Sequence, residues 1–442
     1  MTDTEMVRRS SRIGAAPVGR WQQTRSILIG SIGNLIEWYD VYAYSAFALY
    51  FAGSFFPQTD PVAQQLSAAS LFAVAFLMRP VGSLLFGYFA DRFGRRTSLT
   101  WSVLLMCFGS LLIAVSPTYA TIGVWAPVIL SLARILQGLS QGGEYGTSAT
   151  YLSEMSEPQH RGFYSGVWYV TLIGGQLLAL VVLLVLQKLL LTPDQLKAWG
   201  WRIPFVIGAL LAVYGYYMRR DLAETELFKT AKADATRVSF WSLIAGNWRG
   251  MLLVIGITIG GTSAFYTYTT YMQKFLKLSV GLTDDQTTLV TAVSLLFAIM
   301  LQPIYGAISD RIGRKPLLVG FGVLGTLGTV PLLSALHDTK SPWVAMGLIC
   351  LAWLIVSGYT SITAIVKAEL FPTAIRAVGV GLPYAFTAAI FGGSVDYVAL
   401  TFKKNGFETG FYWYATACIA ISLVVYLFLP DTKTGSRMDR AV

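Results

Sequence analysis

Asn34, Glu37 and Asp40 recur every three positions inside an apolar run, so a helix would carry them on one face. A later run carries Arg79, followed by Pro80. Another carries Arg134, Gln137, Gln141 and Glu144, spaced as one polar stripe on a helix otherwise rich in Leu, Ile and Gly. The next adds Trp168, Thr171 and Gln176. A charge at the centre of a bilayer costs roughly 2.5–3.5 kcal/mol on insertion scales. These side chains must therefore face a protein interior or a wet cavity. Carboxylates held there can carry protons, and a guanidinium can grip a carboxylate through two parallel hydrogen bonds. Glu37, Asp40 and Glu144 are the expected proton-coupling residues. With all three ionised, they outnumber Arg79 and Arg134 by one. Admitting a dianion deepens that excess of negative charge, and poor solvation penalises it further. Anion and proton are expected to enter together.

Arg79 is the leading expectation for an anion contact, though an ion pair with Glu37 or Asp40 would also explain it. Arg134 can be satisfied by Gln137 and Glu144 on its own stripe, or it can bind substrate. Arg202, in Trp199-Gly-Trp201-Arg202-Ile-Pro204, fits an interface anchor at the outer edge that could also attract anions. Trp168, Gln176 and Tyr266 are further candidates for the binding site, the aromatics serving equally as packing. The second half looks different. Ser263, Tyr266, Thr267, Tyr268, Thr270, Tyr271 and Gln273 are neutral until Lys274 near the outer end of their run, and Ser357, Tyr359, Thr360, Ser361 and Thr363 are neutral too. The ionic chemistry is thus expected in the first half, with hydrogen-bonding walls supplied by the second.

Twelve apolar runs must position these residues, at about 27–51, 63–88, 98–116, 123–152, 162–187, 202–218, 250–275, 286–308, 317–336, 343–368, 374–402 and 408–429. Each approaches the ~20 residues a membrane helix needs. The 442-residue chain is 55% hydrophobic and 13% charged, against about 25% charged for soluble domains. A polar stretch at Arg219–Arg249 divides the runs into two sixes. The expected organisation is a tail (1–26), a six-helix bundle (27–218), a linker (219–249), a second six-helix bundle (250–429) and a tail (430–442). Lys and Arg concentrate in alternate loops, which places both termini in the cytoplasm. That bias accounts for the net charge of +10 and leaves nucleic-acid binding without support.

Cys107, Cys350 and Cys418 fall within runs and His160 and His337 in loops, so neither a metal nor a cofactor is expected. No nucleophile–base arrangement points to an enzyme. Gly320-Phe-Gly322-Val-Leu-Gly325 matches a dinucleotide fingerprint in letters only, because no strand precedes it. Gly138, Gly142 and Gly146, and Gly256 and Gly260, have the four-residue spacing that lets helix backbones approach closely in lipid.

The halves repeat each other. Gly87-Tyr-Phe-Ala-Asp91-Arg92-Phe-Gly94-Arg95-Arg96 returns as Gly306-Ala-Ile-Ser-Asp310-Arg311-Ile-Gly313-Arg314-Lys315. Glu154…Arg161 returns at the same spacing as Glu369…Arg376. Asp91, Arg92, Arg95, Glu154, Arg161, Asp310, Arg311, Arg314, Glu369 and Arg376 are expected to form a charge network that closes the cytoplasmic side. Internal repeats of this kind put the site where the halves meet.

The repeated loop motif and Arg134-Ile-Leu-Gln137-Gly138 resemble the major facilitator superfamily over essentially the whole chain. Gly33-Asn34-Leu-Ile-Glu37-Trp38-Tyr39-Asp40 and Gly142-Gly143-Glu144-Tyr145-Gly146 resemble its metabolite:proton symporter family. Further stretches carry the likeness, among them Gly143–Tyr151, Val170–Leu180, Trp199–Phe205, Thr270–Lys274 and Ala389–Ser394. The resemblance implies an all-α membrane protein with twelve transmembrane helices in two pseudo-symmetric six-helix bundles, the major facilitator fold. It implies a proton symporter of the bacterial inner membrane, importing a dicarboxylate, 2-oxoglutarate above others, by alternating access. It also implies that Arg79 and Arg202 meet the substrate carboxylates. A monomer whose partners are a small organic anion, protons and the bilayer is expected. Another organic acid, a zwitterionic osmolyte, or a sensor that binds without transporting remain the alternatives.

Overall fold

The computed structural model describes residues 20–93, 95–142, 156–157, 159–220, 240–372 and 376–436, and within these the side chains of 32–86, 89, 100–142, 156–157, 159–217, 246–372 and 376–436. Among the described residues, long helices fill each of the expected runs. They are α1 (Arg20–Phe55), α2 (Pro61–Phe93), α3 (Arg95–Val115), α4 (Trp125–Gln141), α5 (Arg161–Val185), α6 (Ile203–Arg220), α7 (Phe240–Tyr266), α8 (Asp284–Ile312), α9 (Lys315–Asp338), α10 (Pro342–Thr360), α11 (Arg376–Phe391) and α12 (Thr409–Phe428). Among the described residues, eight helices, counting their continuations, are long and apolar enough to cross a membrane.

Four helices do not end cleanly. α5 runs into a π turn at Leu186–Leu190, and α7 into π turns at Thr267–Tyr271 and Leu276–Val280 on either side of Met272–Phe275. α10 breaks and resumes as Thr363–Glu369, and α11 as Val395–Lys404. Such irregular backbone is tolerated at membrane depth only where protein or a cavity surrounds it. Residues 267–276 are buried throughout.

Small residues set the helix spacing. A Cβ on Gly138 would lie 2.1 Å from the Ala75 carbonyl oxygen, and one on Gly142 would lie 2.1 Å from that of Arg79. α2 and α4 therefore touch backbone to backbone at the level of Arg79. A Cβ on Gly260 would lie 2.6 Å from the Cys418 carbonyl oxygen, locking α7 to α12. The halves are joined in the same way: a Cβ on Gly306 of α8 would lie 2.3 Å from the Gly162 carbonyl oxygen of α5. Four of the five glycines read as packing residues do so; Gly146 lies outside the described residues. Gly320 lies within α9, confirming that no strand precedes the fingerprint-like string, and a Cβ there would meet nothing within 4 Å. Expected for Gly138→Val is a loss of at least about 1–3 kcal/mol from overpacking, while Gly320→Ala leaves stability unchanged or slightly raised. Thermal melts of the detergent-solubilised variants test the contrast.

Candidate functional site

The first-half polar residues form two clusters. In one, Arg134 donates to Gln137 Oε1 (2.6 Å), Gln137 Nε2 donates to the Ser110 hydroxyl (3.0 Å), and Ser110 donates to Asp40 Oδ1. This relay connects a guanidinium to a carboxylate through two neutral side chains on α4 and α3. Arg134 also stacks over Tyr44, with its Cζ 4.1 Å from the ring centroid. The arrangement gives both buried charges partners, so Arg134 and Asp40 hold α1, α3 and α4 together.

In the other cluster, Arg79 reaches the boundary between the halves. Its Nη2 donates to Gln141 Oε1 (2.9 Å), and its Cζ lies 3.7 Å from the Phe76 ring centroid and 5.2 Å from that of Trp38. A desolvated guanidinium over an aromatic face gains about 2 kcal/mol. Phe76 in turn packs edge-on against Tyr266 of α7, with centroids 5.3 Å apart. The Tyr266 hydroxyl feels both Arg79 and Glu37. Arg79 Nε has no hydrogen-bond partner among the described residues. The close approach of α2 and α4 brings Gln141 beside Arg79. Trp38 is oriented by donating to Asn34 Oδ1 (3.0 Å), and Asn34 donates to Thr171 (2.7 Å).

The other candidates are more dispersed. Glu37 is buried and lines a small cleft with Ser102 and Ser140. Trp168 is buried beside Tyr169, which packs edge-on against Phe265 across the boundary at 5.5 Å. Gln176 is buried, its Oε1 lacking a partner among the described residues. Arg202 donates to the Ser116 carbonyl (3.0 Å) and stacks on Trp201 at 4.1 Å. Its contacts thus tie α6 to the end of α3, and the Arg79 cluster shares none of them. Glu144 lies outside the described residues.

One expectation is overturned. The second half is not neutral at its core. Lys274 of the α7 continuation pairs with Asp396 in the first turn of Val395–Lys404, and their side chains are 2% and 1% exposed. Thr270 donates to the other Asp396 oxygen (2.9 Å), and Lys274 also donates to Ser45 of α1 (3.2 Å). Lys367 is buried too, with Nζ 4.4 Å from the Tyr384 ring centroid. The signal for Asp396 was present: it is an acidic residue inside a predicted span. Its partner lies on a different helix, and no local pattern links the two.

At the opposite end of α8, the second-half motif builds a charge network. Asp310 accepts hydrogen bonds from the Gly162 and Phe163 amides (2.8 Å each), capping the first turn of α5 across the boundary. A carboxylate there also meets the positive end of the helix dipole. Arg314 donates to Asp310 (2.8 Å), Ser309 (2.7 Å) and Glu369 (3.4 Å). Glu369 also accepts from Thr432 and feels Arg161. Arg376 donates to the Phe371 carbonyl (3.2 Å). Arg311 is exposed and its side chain is absent from these bonds. Asp91, Arg92, Arg95 and Glu154 have side chains outside the described set. Sequence reasoning missed the contribution of the following tail: Asp431 accepts from the Arg314 amide (3.1 Å), and Lys433 donates to the Asp310 carbonyl (2.6 Å).

A family model described as sugar (and other) transporter matches residues 26–239 and 218–439. The chain is 49% identical to the alpha-ketoglutarate permease of Escherichia coli K12 over 415 residues, covering 93% of this chain and 95% of the relative. It is 33% identical to the proline/betaine transporter of Salmonella typhimurium, covering 85% and 76%, and 30% identical to the citrate-proton symporter of Klebsiella pneumoniae, covering 97% and 95%. Among solved structures, a D-xylose-proton symporter superposes with a TM-score of 0.73 at 21% identity over 94% of this chain and 99% of that one. A proton:xylose symporter of the major facilitator superfamily matches with the same TM-score at 19% identity, covering 94% and 97%.

The Asp310 cap makes a specific forecast. A charge-assisted hydrogen bond contributes about 1.5–3 kcal/mol, so Asp310→Asn should speed hydrogen exchange at the first turn of α5 by about tenfold to a hundredfold. Exchange mass spectrometry of peptides containing Gly162 and Phe163 reads this directly, with peptides from α12 as the unchanged reference.

Proposed function

The chain belongs to the sugar (and other) transporter family of the major facilitator superfamily, and on that premise we propose that it is a proton-coupled symporter importing 2-oxoglutarate by alternating access. The observation that carries this reading is Arg79. Its planar fork is held between Phe76, Trp38 and Gln141, it meets Tyr266 of the other half, and its Nε is left without a partner among the described residues. That is a prepared receptor for a carboxylate. Gln176 and Trp168 of α5 would line the same passage. Glu37, whose charge reaches Tyr266 beside Arg79, and Asp40, held by the Ser110 hydroxyl, are the proton carriers. Arg202 draws anions toward the outer mouth. The Asp310–Arg314–Glu369 network, with Arg161 and Arg376, is the cytoplasmic gate.

The relatives named as an alpha-ketoglutarate permease and a citrate-proton symporter support an organic-anion substrate. The relative named as a proline/betaine transporter suggests a zwitterion instead. The aromatic faces that could cage a quaternary ammonium are already covered by the Arg79 guanidinium, which favours the anion. The protein acts as a monomer in the bacterial inner membrane, with both termini in the cytoplasm.

The test is uptake of labelled 2-oxoglutarate into proteoliposomes under an imposed pH gradient. Uptake should rise as the outside is made more acid and collapse when a protonophore removes the gradient. Arg79→Ala should lower kcat/KM by about a hundredfold or more, the equivalent of about 3 kcal/mol. Arg79→Lys should recover only part of it, because a point charge replaces the fork. Failure of excess unlabelled 2-oxoglutarate to compete would remove the substrate assignment.

A further inference from the structure

The Lys274–Asp396 pair is expensive. Taking two charges out of water costs several kcal/mol per ion, and a well-packed apolar pair is often as stable or more so. Stability alone therefore gives little reason to keep these charges. Their setting suggests another. Lys274 is flanked on both sides by π turns, which are frequent at functional sites. Asp396 begins the second part of a broken helix, one turn after Gly393, where a Cβ would lie 2.3 Å from Phe76 of the other half. The pair also crosses the boundary, because Lys274 donates to Ser45 of α1. Close by, Gln273 donates to the Ala46 carbonyl (3.3 Å).

We propose that Lys274 and Asp396 form a second station of the transport path, at which one proton and one substrate carboxylate are taken up together. The inference rests on the symport reading above. In the structure the station is neutral, ammonium against carboxylate. A proton from the outer solution adds to Asp396, which then no longer holds Lys274. Lys274 stays protonated and takes a carboxylate of the incoming substrate in its place. The station remains neutral throughout, so neither the proton nor the anion is stable there alone. Eight residues separate Lys274 from Tyr266, about 12 Å along a helix axis. Lys274 is therefore an outer station met before Arg79, rather than the second arm of one clamp.

The groups around Asp396 are few. α7 presents Lys274, Thr270 and Tyr271, whose hydroxyl lies against Glu408 ahead of α12. Its own helix carries Lys403, which is bonded to Glu408. α1 reaches the pair through the Ser45 hydroxyl, and α2 brings the Phe76 ring to the break before it.

The experiment is proton uptake on addition of 2-oxoglutarate to purified, detergent-solubilised protein in weak buffer. Calorimetric affinities at several pH values accompany it. Asp396→Asn should take up one proton fewer per substrate bound. Its affinity should also lose up to about tenfold of dependence per pH unit and sit near the acid wild-type value at alkaline pH. Lys274→Gln should weaken binding at least tenfold at acid pH. If either single variant misfolds, Lys274→Gln/Asp396→Asn, which leaves no buried charge unpaired, should also take up one proton fewer. Unchanged proton stoichiometry in a folded Asp396→Asn or double variant overturns the proposal and leaves the pair a structural tie. Absence of any 2-oxoglutarate binding by the wild type instead overturns the function on which it rests.

Discussion

A charge withdrawn from water must be given partners, and in this chain almost every piece of architecture near the boundary supplies them. The Arg134–Gln137–Ser110–Asp40 relay satisfies opposite charges through neutral intermediaries. Asp310 is held by two backbone amides and a guanidinium. Arg79 is treated differently. Two of its sides are covered by rings and one nitrogen is bonded, but another polar edge is left open. Arg134 Nε, Arg314 Nε and Asp40 Oδ2 are likewise without a hydrogen-bond partner among the described residues, so what sets Arg79 apart is its place against Phe76, Trp38 and Tyr266 at the boundary between the halves.

Much of this was legible in the sequence because the relevant signals are local. Run length and hydropathy fixed the helices, since each must bridge about 30 Å of hydrocarbon. The four-residue glycine spacing announced close backbone contacts, and Gly138, Gly142 and Gly260 make them, while Gly256 packs against the Val425 side chain. Asn34, Glu37 and Asp40 were visible as one face. Even so, they divide their work, with Asn34 orienting Trp38, Asp40 ending the relay and Glu37 lining a cleft. Helical phase says which side chains share a face; it does not say which neighbour each will find.

What remained hidden was pairing between distant segments. Lys274 reads as an interfacial lysine near the end of a run, and Asp396 as an acid close to Lys403 and Lys404. Only tertiary packing makes them mutual partners at full burial. The tail after α12 was equally opaque. Asp431, Thr432 and Lys433 are ordinary surface residues in sequence, yet they bond to the Arg314 amide, Glu369 and the Asp310 carbonyl. The charge network is therefore assembled from α5, α8, the continuation of α10 and the tail. A motif confined to one loop could not reveal that.

The π turn at Thr267–Tyr271 has a consequence for angular phasing. Eight residues of regular α-helix sweep about 800°, which leaves their first and last side chains about 80° apart around the axis. A wider turn rotates each residue through a smaller angle and reduces that divergence. Tyr266 and Lys274 can then look out along nearly the same azimuth, one above the other. Straightening this single turn would swing the lysine toward the flank of the helix without changing a residue.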